Sequence, residues 1–176
     1  MTRKTYKIRD LGEANTFLGM EITRNRAKRT LKISQTTYIS KMAERFDVTK
    51  NKPKYVPLDP NVILKKAKTT EETEGVDNEL YRSIIGSCMY AVQCCRPDAL
   101  LAVSRLSQYL NNPSKMHMKH AQFLLTYLYT TRNQGITYGK IIHGITGHSL
   151  NEFYGFSDAD YAGNVDKIHH RLGFYV

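Results

Sequence analysis

Between residues 78 and 131 three apolar stripes at helical spacing are separated by two proline-marked breaks, and this pattern constrains the fold more than any other. Leu80, Tyr81, Ile84, Ile85, Cys88, Met89 and Val92 recur three and four apart, on one face of a helix that Asp77 or Asn78 caps. Arg96-Pro97-Asp98 ends that helix and opens the next, since proline suits a first helical turn. Leu100, Val103, Leu106 and Leu110 form the second stripe, and Asn111-Asn112-Pro113 breaks it. Ser114 then caps a third helix with Met118, Ala121, Leu124, Leu125 and Leu128 on its apolar face. Three such faces can bury one another, so this block is expected to fold as a unit.

The flanking segments read differently. Phe17, Leu18, Met20 and Ile22 make one apolar run, and Leu31 and Ile33 alternate with Lys32 in another. With the basic turn Asn25 to Arg29 between them, residues 16–35 read as a hairpin. Tyr38, Ile39, Met42, Ala43 and Phe46 predict a helix capped by Ser34 or Thr36. Residues 50–75 carry Pro53, Pro57, Pro60 and the run Lys65-Lys66-Ala67-Lys68, which predicts a surface-wrapping linker with no core of its own. After Gly135 come strand patterns: Ile136 to Tyr138, an aromatic strand through Phe153, Tyr154 and Phe156 delivering Asp158 and Asp160 at its tip, and Leu172 to Val176. The fold class is therefore α+β.

Charge narrows the function. The chain of 176 residues holds 26 Lys and Arg against 16 Asp and Glu, net +10. Residues 1–68 carry 17 basic and 6 acidic side chains, and residues 99–150 carry 5 basic and no acidic ones. Such a surface suits a polyanion. No apolar run is long enough to span a bilayer, so no membrane partner is expected. Cys88, Cys94 and Cys95 read as reduced thiols, because adjacent cysteines bridge poorly and no histidine spacing beside them suggests zinc. No nucleophile elbow or phosphate-binding glycine loop occurs. His169-His170 sits in a basic turn without a spaced third ligand.

Several segments, in order, resemble the polymerase–nuclease region of copia-type retrotransposon polyproteins. TFLGMEI (Thr16 to Ile22) is similar to the primer-grip hairpin of reverse transcriptases, and LKISQTTYISKMAERF resembles the helix after it. Tyr81 to Ala121 resembles the thumb and connection helices, with the YR, GS.MY, RPD, AV..LS and P...H elements in place. FSDADYAG (Phe156 to Gly163) resembles the first strand of the RNase H domain. The family's Thr-Arg-Pro-Asp reads Cys95-Arg96-Pro97-Asp98 here.

The resemblance implies a division into a reverse transcriptase hairpin and helix (1–50), a linker (51–76), a thumb-like helical block (77–134) and an incomplete RNase H-like sheet (135–176). It implies that Asp158 descends from the first of the metal-binding acids that hold Mg²⁺, with Asp160 as the candidate second ligand. Asp160 is expected in the turn after the strand. Phe17, Leu18 and Gly19 would grip a primer terminus, and Arg105, Lys115, Lys119 and His120 would meet phosphates. The partners implied are an RNA–DNA hybrid or duplex and the remaining Pol segments, in a cytoplasmic virus-like particle or the nucleus. The polymerase aspartates and the later RNase H acids do not occur in the sequence. A truncated, catalytically silent piece with residual nucleic-acid binding is therefore expected. The alternative is a non-enzymatic basic module that binds nucleic acid or particle proteins.

Overall fold

A computed structural model describes residues 12–139 and, as backbone, the strands Phe156–Tyr161 and His170–Tyr175. The fold is α+β, as the patterning predicts. Strands β1 (Thr16–Phe17), β2 (Met20–Asn25) and β3 (Thr30–Ser34) run into helix α1 (Thr36–Arg45). A connector with one short helix, α2 (Thr70–Thr73), leads to α3 (Asn78–Cys95). A 3₁₀ turn at Pro97–Ala99 then opens α4 (Leu100–Ser107), followed by α5 (Lys115–Thr130) and β4 (Gly135–Tyr138). Strands β5 (Phe156–Tyr161) and β6 (His170–Tyr175) form a separate antiparallel pair.

The hairpin is real, and it is one part of a four-stranded antiparallel sheet ordered β1-β2-β3-β4. The apolar run expected as one strand is split. Leu18 and Gly19 form a tight turn that folds β1 back on β2, with Phe17 opposite Met20. Strand β4 joins from about a hundred residues downstream, with Ser34 opposite Gly135 and Leu31 opposite Tyr138. Residues 135–138 therefore complete the sheet that begins at Thr16. Only glycine fits at the first of these pairs, because a Cβ on Gly135 would lie 2.2 Å from the Ile33 carbonyl oxygen.

Helix α1 does not start as its sequence suggests. Its N-cap is Gln35, which makes no side-chain capping bond. The Glu21 carboxylate on β2 instead accepts the Thr37 N–H at 2.7 Å. A carboxylate also complements the positive end of the helix dipole, so a strand residue does the work of a cap. Local caps do form elsewhere. Asp77 accepts the Leu80 N–H at 2.9 Å, and Ser114 and His117 close a reciprocal capping box on α5.

One core joins all of this. Ile39, Met42 and Ala43 of α1 are buried together with Tyr81, Ile84, Ile85 and Cys88 of α3, Val103 and Leu106 of α4, and Leu124, Leu125 and Leu128 of α5. The three-helix block thus shares its interior with α1. The connector joins too, against the expectation of a linker without a core. Leu64 is buried, its carbonyl accepts the Tyr109 hydroxyl at 3.0 Å, and the Asn51 amide donates to Thr126 Oγ1 at 3.1 Å.

Two stripe positions face outward. Leu80 is 38% exposed because it lies on the rim of the α3 stripe, about 80° round the helix from its centre at Cys88. Leu100 is 42% exposed because the 3₁₀ turn before it changes the helical phase, and Ala99 and Ala102 take the inner positions.

Candidate nucleic-acid interface

The Leu18–Gly19 turn is the most unusual piece of backbone in the sheet. Both residues have positive φ, 48° for Leu18 and 74° for Gly19. Glycine adopts this region without penalty, whereas a leucine there is held by its surroundings. The holding group is Tyr90 on α3, whose hydroxyl donates to the Leu18 carbonyl. Tyr90 packs edge-on against Tyr38 of α1 at 5.1 Å, and Tyr38 donates to the Ser87 carbonyl at 3.2 Å. Two helices therefore fix one turn. With the backbone so used, the Phe17 and Leu18 side chains stand 59% and 69% exposed. The structure places Phe17, Leu18 and Gly19 at an exposed apolar turn and not within a continuous strand.

Of the expected phosphate contacts, Arg105, Lys115 and Lys119 are exposed. Lys115 and Lys119 lie one turn apart on α5. Lys115 also lines an open cleft of about 400 Å³ with Lys65, Lys66 and Lys68 of the connector, and Arg105 and Lys119 are not part of its lining. Ser114, which caps α5 together with His117, also lines that cleft. The Ser114 N–H donates to His117 Nδ1 at 2.9 Å, and Tyr109 stacks on the imidazole at 3.9 Å. His120 does not belong to the interface. It is buried at 6% exposure, tilted against Phe123, and burial together with Lys119 lowers its pKa, so it stays neutral. Its place on the inner side of α5 follows from the helical period, because it lies beside Ala121 and Leu124.

Asp158 and Asp160 both lie within β5, opposite Gly173 and Arg171 of β6. Asp158 is thus mid-strand and not at a strand tip, and Asp160 is strand and not turn. Pairing with β6 carries the ladder through both aspartates, and such pairing overrides the low strand propensity of Asp. Phe153, Tyr154 and His169 lie outside the described residues. Among the described residues no group of three or more His, Cys, Asp or Glu gathers to hold a metal.

One polar constellation was missed from sequence. Arg96, 1% exposed, forks onto Asp98 at 2.9 and 2.7 Å and donates to the Thr131 carbonyl and hydroxyl. The Tyr127 hydroxyl donates to Asp98 at 2.6 Å. Burial acts to raise the Asp98 pKa, and the bonds from Arg96 and Tyr127 outweigh it, so the carboxyl is held below its usual range. This network ties the α3–α4 corner to the end of α5. The RPD string was visible, but its partners at 127 and 131 carry no local signal.

The sequence is similar to those of several transposon proteins. The chain is 36% identical over 174 residues to the retrovirus-related Pol polyprotein from transposon TNT 1-94 of Nicotiana tabacum. It is 33% identical over 171 residues to that from transposon RE1 of Arabidopsis thaliana. A putative transposon Ty5-1 protein of Saccharomyces cerevisiae is 32% identical over 173 residues. This chain is a homologue of transposon Pol polyproteins. These alignments cover 97–98% of the chain, so the four-stranded sheet and the shared core lie in the segment held in common. The chain spans 12% and 11% of the two Pol polyproteins and 52% of the Ty5-1 protein. No protein-family profile matches it, and no solved structure matches it significantly. Among the described residues of this Pol homologue, no helix is long and apolar enough to cross a membrane.

Proposed function

We propose that this Pol homologue comes from the reverse transcriptase–RNase H portion of its element, the enzyme that copies element RNA into DNA. In this reading residues 16–34 form the primer-grip hairpin, α3 to α5 are thumb and connection helices, and β5 begins the RNase H sheet. The observation that carries it is the Leu18–Gly19 turn: an exposed apolar tip on strained backbone, pinned by Tyr90 on a net-positive protein. Strained, over-determined backbone is a mark of functional sites. A tip of this kind can press on the sugar and base of a primer terminus, and Gly19 lets the nucleic-acid backbone approach closely. Lys115, Lys119 and Arg105 would meet phosphates, which adds affinity without sequence preference.

The resemblance also implies Mg²⁺. A hard cation takes oxygen ligands, and Asp158 and Asp160 are the carboxylates of β5 that would offer them. Bound there, the ion would stabilise charge at a scissile phosphate.

The test is fluorescence anisotropy of the 176-residue chain with a recessed primer–template hybrid and a blunt hybrid. Binding should be sequence-blind and should weaken steeply between about 50 and 200 mM salt. Lys115→Gln with Lys119→Gln should reduce the salt slope by roughly 2. Leu18→Ala should remove any preference for the recessed end. Absent binding at low salt, or salt-independent binding, would overturn the reading in favour of an ordinary solvated basic surface.

A further inference from the structure

The other end of β2, a strand length from the Leu18–Gly19 turn, carries a feature that the primer-grip reading does not use. An open cleft of about 450 Å³ lies at the β2–β3 turn and the end of β4, lined by Arg24, Arg26, Arg29, Leu31, Tyr138 and Gly139 among others. Register places Arg24 opposite Leu31 and Leu31 opposite Tyr138. Directly opposed residues share a sheet face, so a guanidinium and an aromatic ring flank one leucine on the same surface. The ring is not spent on the core, since Tyr138 is 52% exposed.

The corner is built to hold this arrangement. Asn25 Oδ1 accepts the Lys28 N–H at 2.9 Å, and the Arg29 N–H reaches the Arg26 carbonyl at 3.2 Å with Arg29 at a φ of 52°. Gly139, at a φ of 85°, closes β4 onto the turn so tightly that a Cβ there would lie 2.1 Å from the Arg29 carbonyl oxygen. The charge is only partly cancelled. Among the described residues the ion pairs are Glu13–Arg26 and Arg96–Asp98. Glu13 feels Arg24 as well, but among the described residues no carboxylate lines the cleft and neither Arg24 nor Arg29 is in an ion pair.

Guanidinium groups fork onto phosphate oxygens, and an exposed aromatic ring stacks on any base whose face is open. A duplex keeps its base faces inside its own stack, and an unpaired strand offers both groups at once. We propose that this cleft binds an unpaired nucleic-acid strand, one base stacking on Tyr138 and the adjoining phosphates taken by Arg24 and Arg29. The site rests on the β2–β4 corner alone and stands whether or not the Leu18 turn grips a primer.

The experiment compares a labelled oligouridine of about twelve nucleotides with a blunt hybrid of the same length, titrated with the 176-residue chain. Tyr138→Ala should weaken oligouridine binding on the order of tenfold and leave hybrid binding unchanged, and Tyr138→Phe should behave as wild type. Arg24→Gln and Arg29→Gln should each reduce the single-strand salt slope by about 0.7. Each variant is checked by thermal melting. If Tyr138→Ala does not fold, Tyr138→Leu is read in its place, since it keeps bulk and loses the π face. Unchanged oligouridine affinity in the folded variant, or equal weakening towards both probes, overturns the proposal. Loss of hybrid binding by wild type with oligouridine binding retained overturns only the duplex reading above.

Discussion

Glu21, on a strand, accepts the backbone N–H of Thr37, in the first turn of a helix, at 2.7 Å. This bond joins the sheet to the helical core. It holds the Glu21 pKa below the usual carboxylate value through the Thr37 bond, against a smaller opposing effect of burial. A group with a lowered folded pKa stabilises the fold above its unfolded pKa, and the contribution fades as pH falls through the folded one. Glu21→Gln should therefore cost about 1 kcal/mol at pH 7 and progressively less below about pH 4. Urea unfolding at both pH values checks this; a cost that does not shrink in acid would exclude the carboxylate's charge as its source.

Arg96 and Asp98 are unequal partners. Arg96 is 1% exposed as a side chain and Asp98 is 39% exposed. Removing the carboxylate leaves a buried guanidinium without its counter-charge, at a cost of about 3 kcal/mol. Arg96→Met leaves Asp98 able to hydrate, so it should cost less than Asp98→Ala. Chemical denaturation of both variants measures the order, and the reverse order would contradict it.

Limited proteolysis should be selective within the connector. Residues 51–64 are tied down at Asn51, Lys54 and Leu64, whereas Lys65, Lys66 and Lys68 are exposed. Trypsin should cut first at Lys65 to Lys68, and the two pieces should stay together because α1 and Leu64 share the core of α3 to α5. Mass spectrometry locates the cut and gel filtration reads the association. An isolated helical block would mean that the core divides at the connector.

The thiols should be distinguishable. Burial pushes Cys88 up to about 12 and Cys95 up to about 11, and only Cys94 is partly exposed. The thiolate is the reactive form, so Cys88, buried and held protonated, should react far more slowly than an ordinary thiol at pH 8. A disulfide-exchange reagent should titrate one thiol rapidly in the folded protein and all three after denaturation. Cys94→Ser should abolish the rapid phase.

Short-range patterns determined what the sequence reveals by itself. The stripes of α3, α4 and α5, the Asp77 and Ser114 caps and the basic turn all follow from residues within a few helical turns of one another, whereas the exposed Leu18–Gly19 tip depends on Tyr90, 72 positions away. Strand order, helix docking and the contents of the polar networks were decided only in three dimensions. Leu31 meets Tyr138, Lys32 donates to the Asn133 carbonyl, Glu21 caps α1, and Tyr127 donates to Asp98. These partners are 16 to 107 positions apart, and a hydrogen bond or strand pair across such a gap leaves no periodicity to read. His120 shows both sides: its type suggested a phosphate contact, while its place beside Ala121 and Leu124 on α5 put it in the interior. The chemistry of a side chain can be read from the sequence, but the core that forms around it decides whether that chemistry meets solvent.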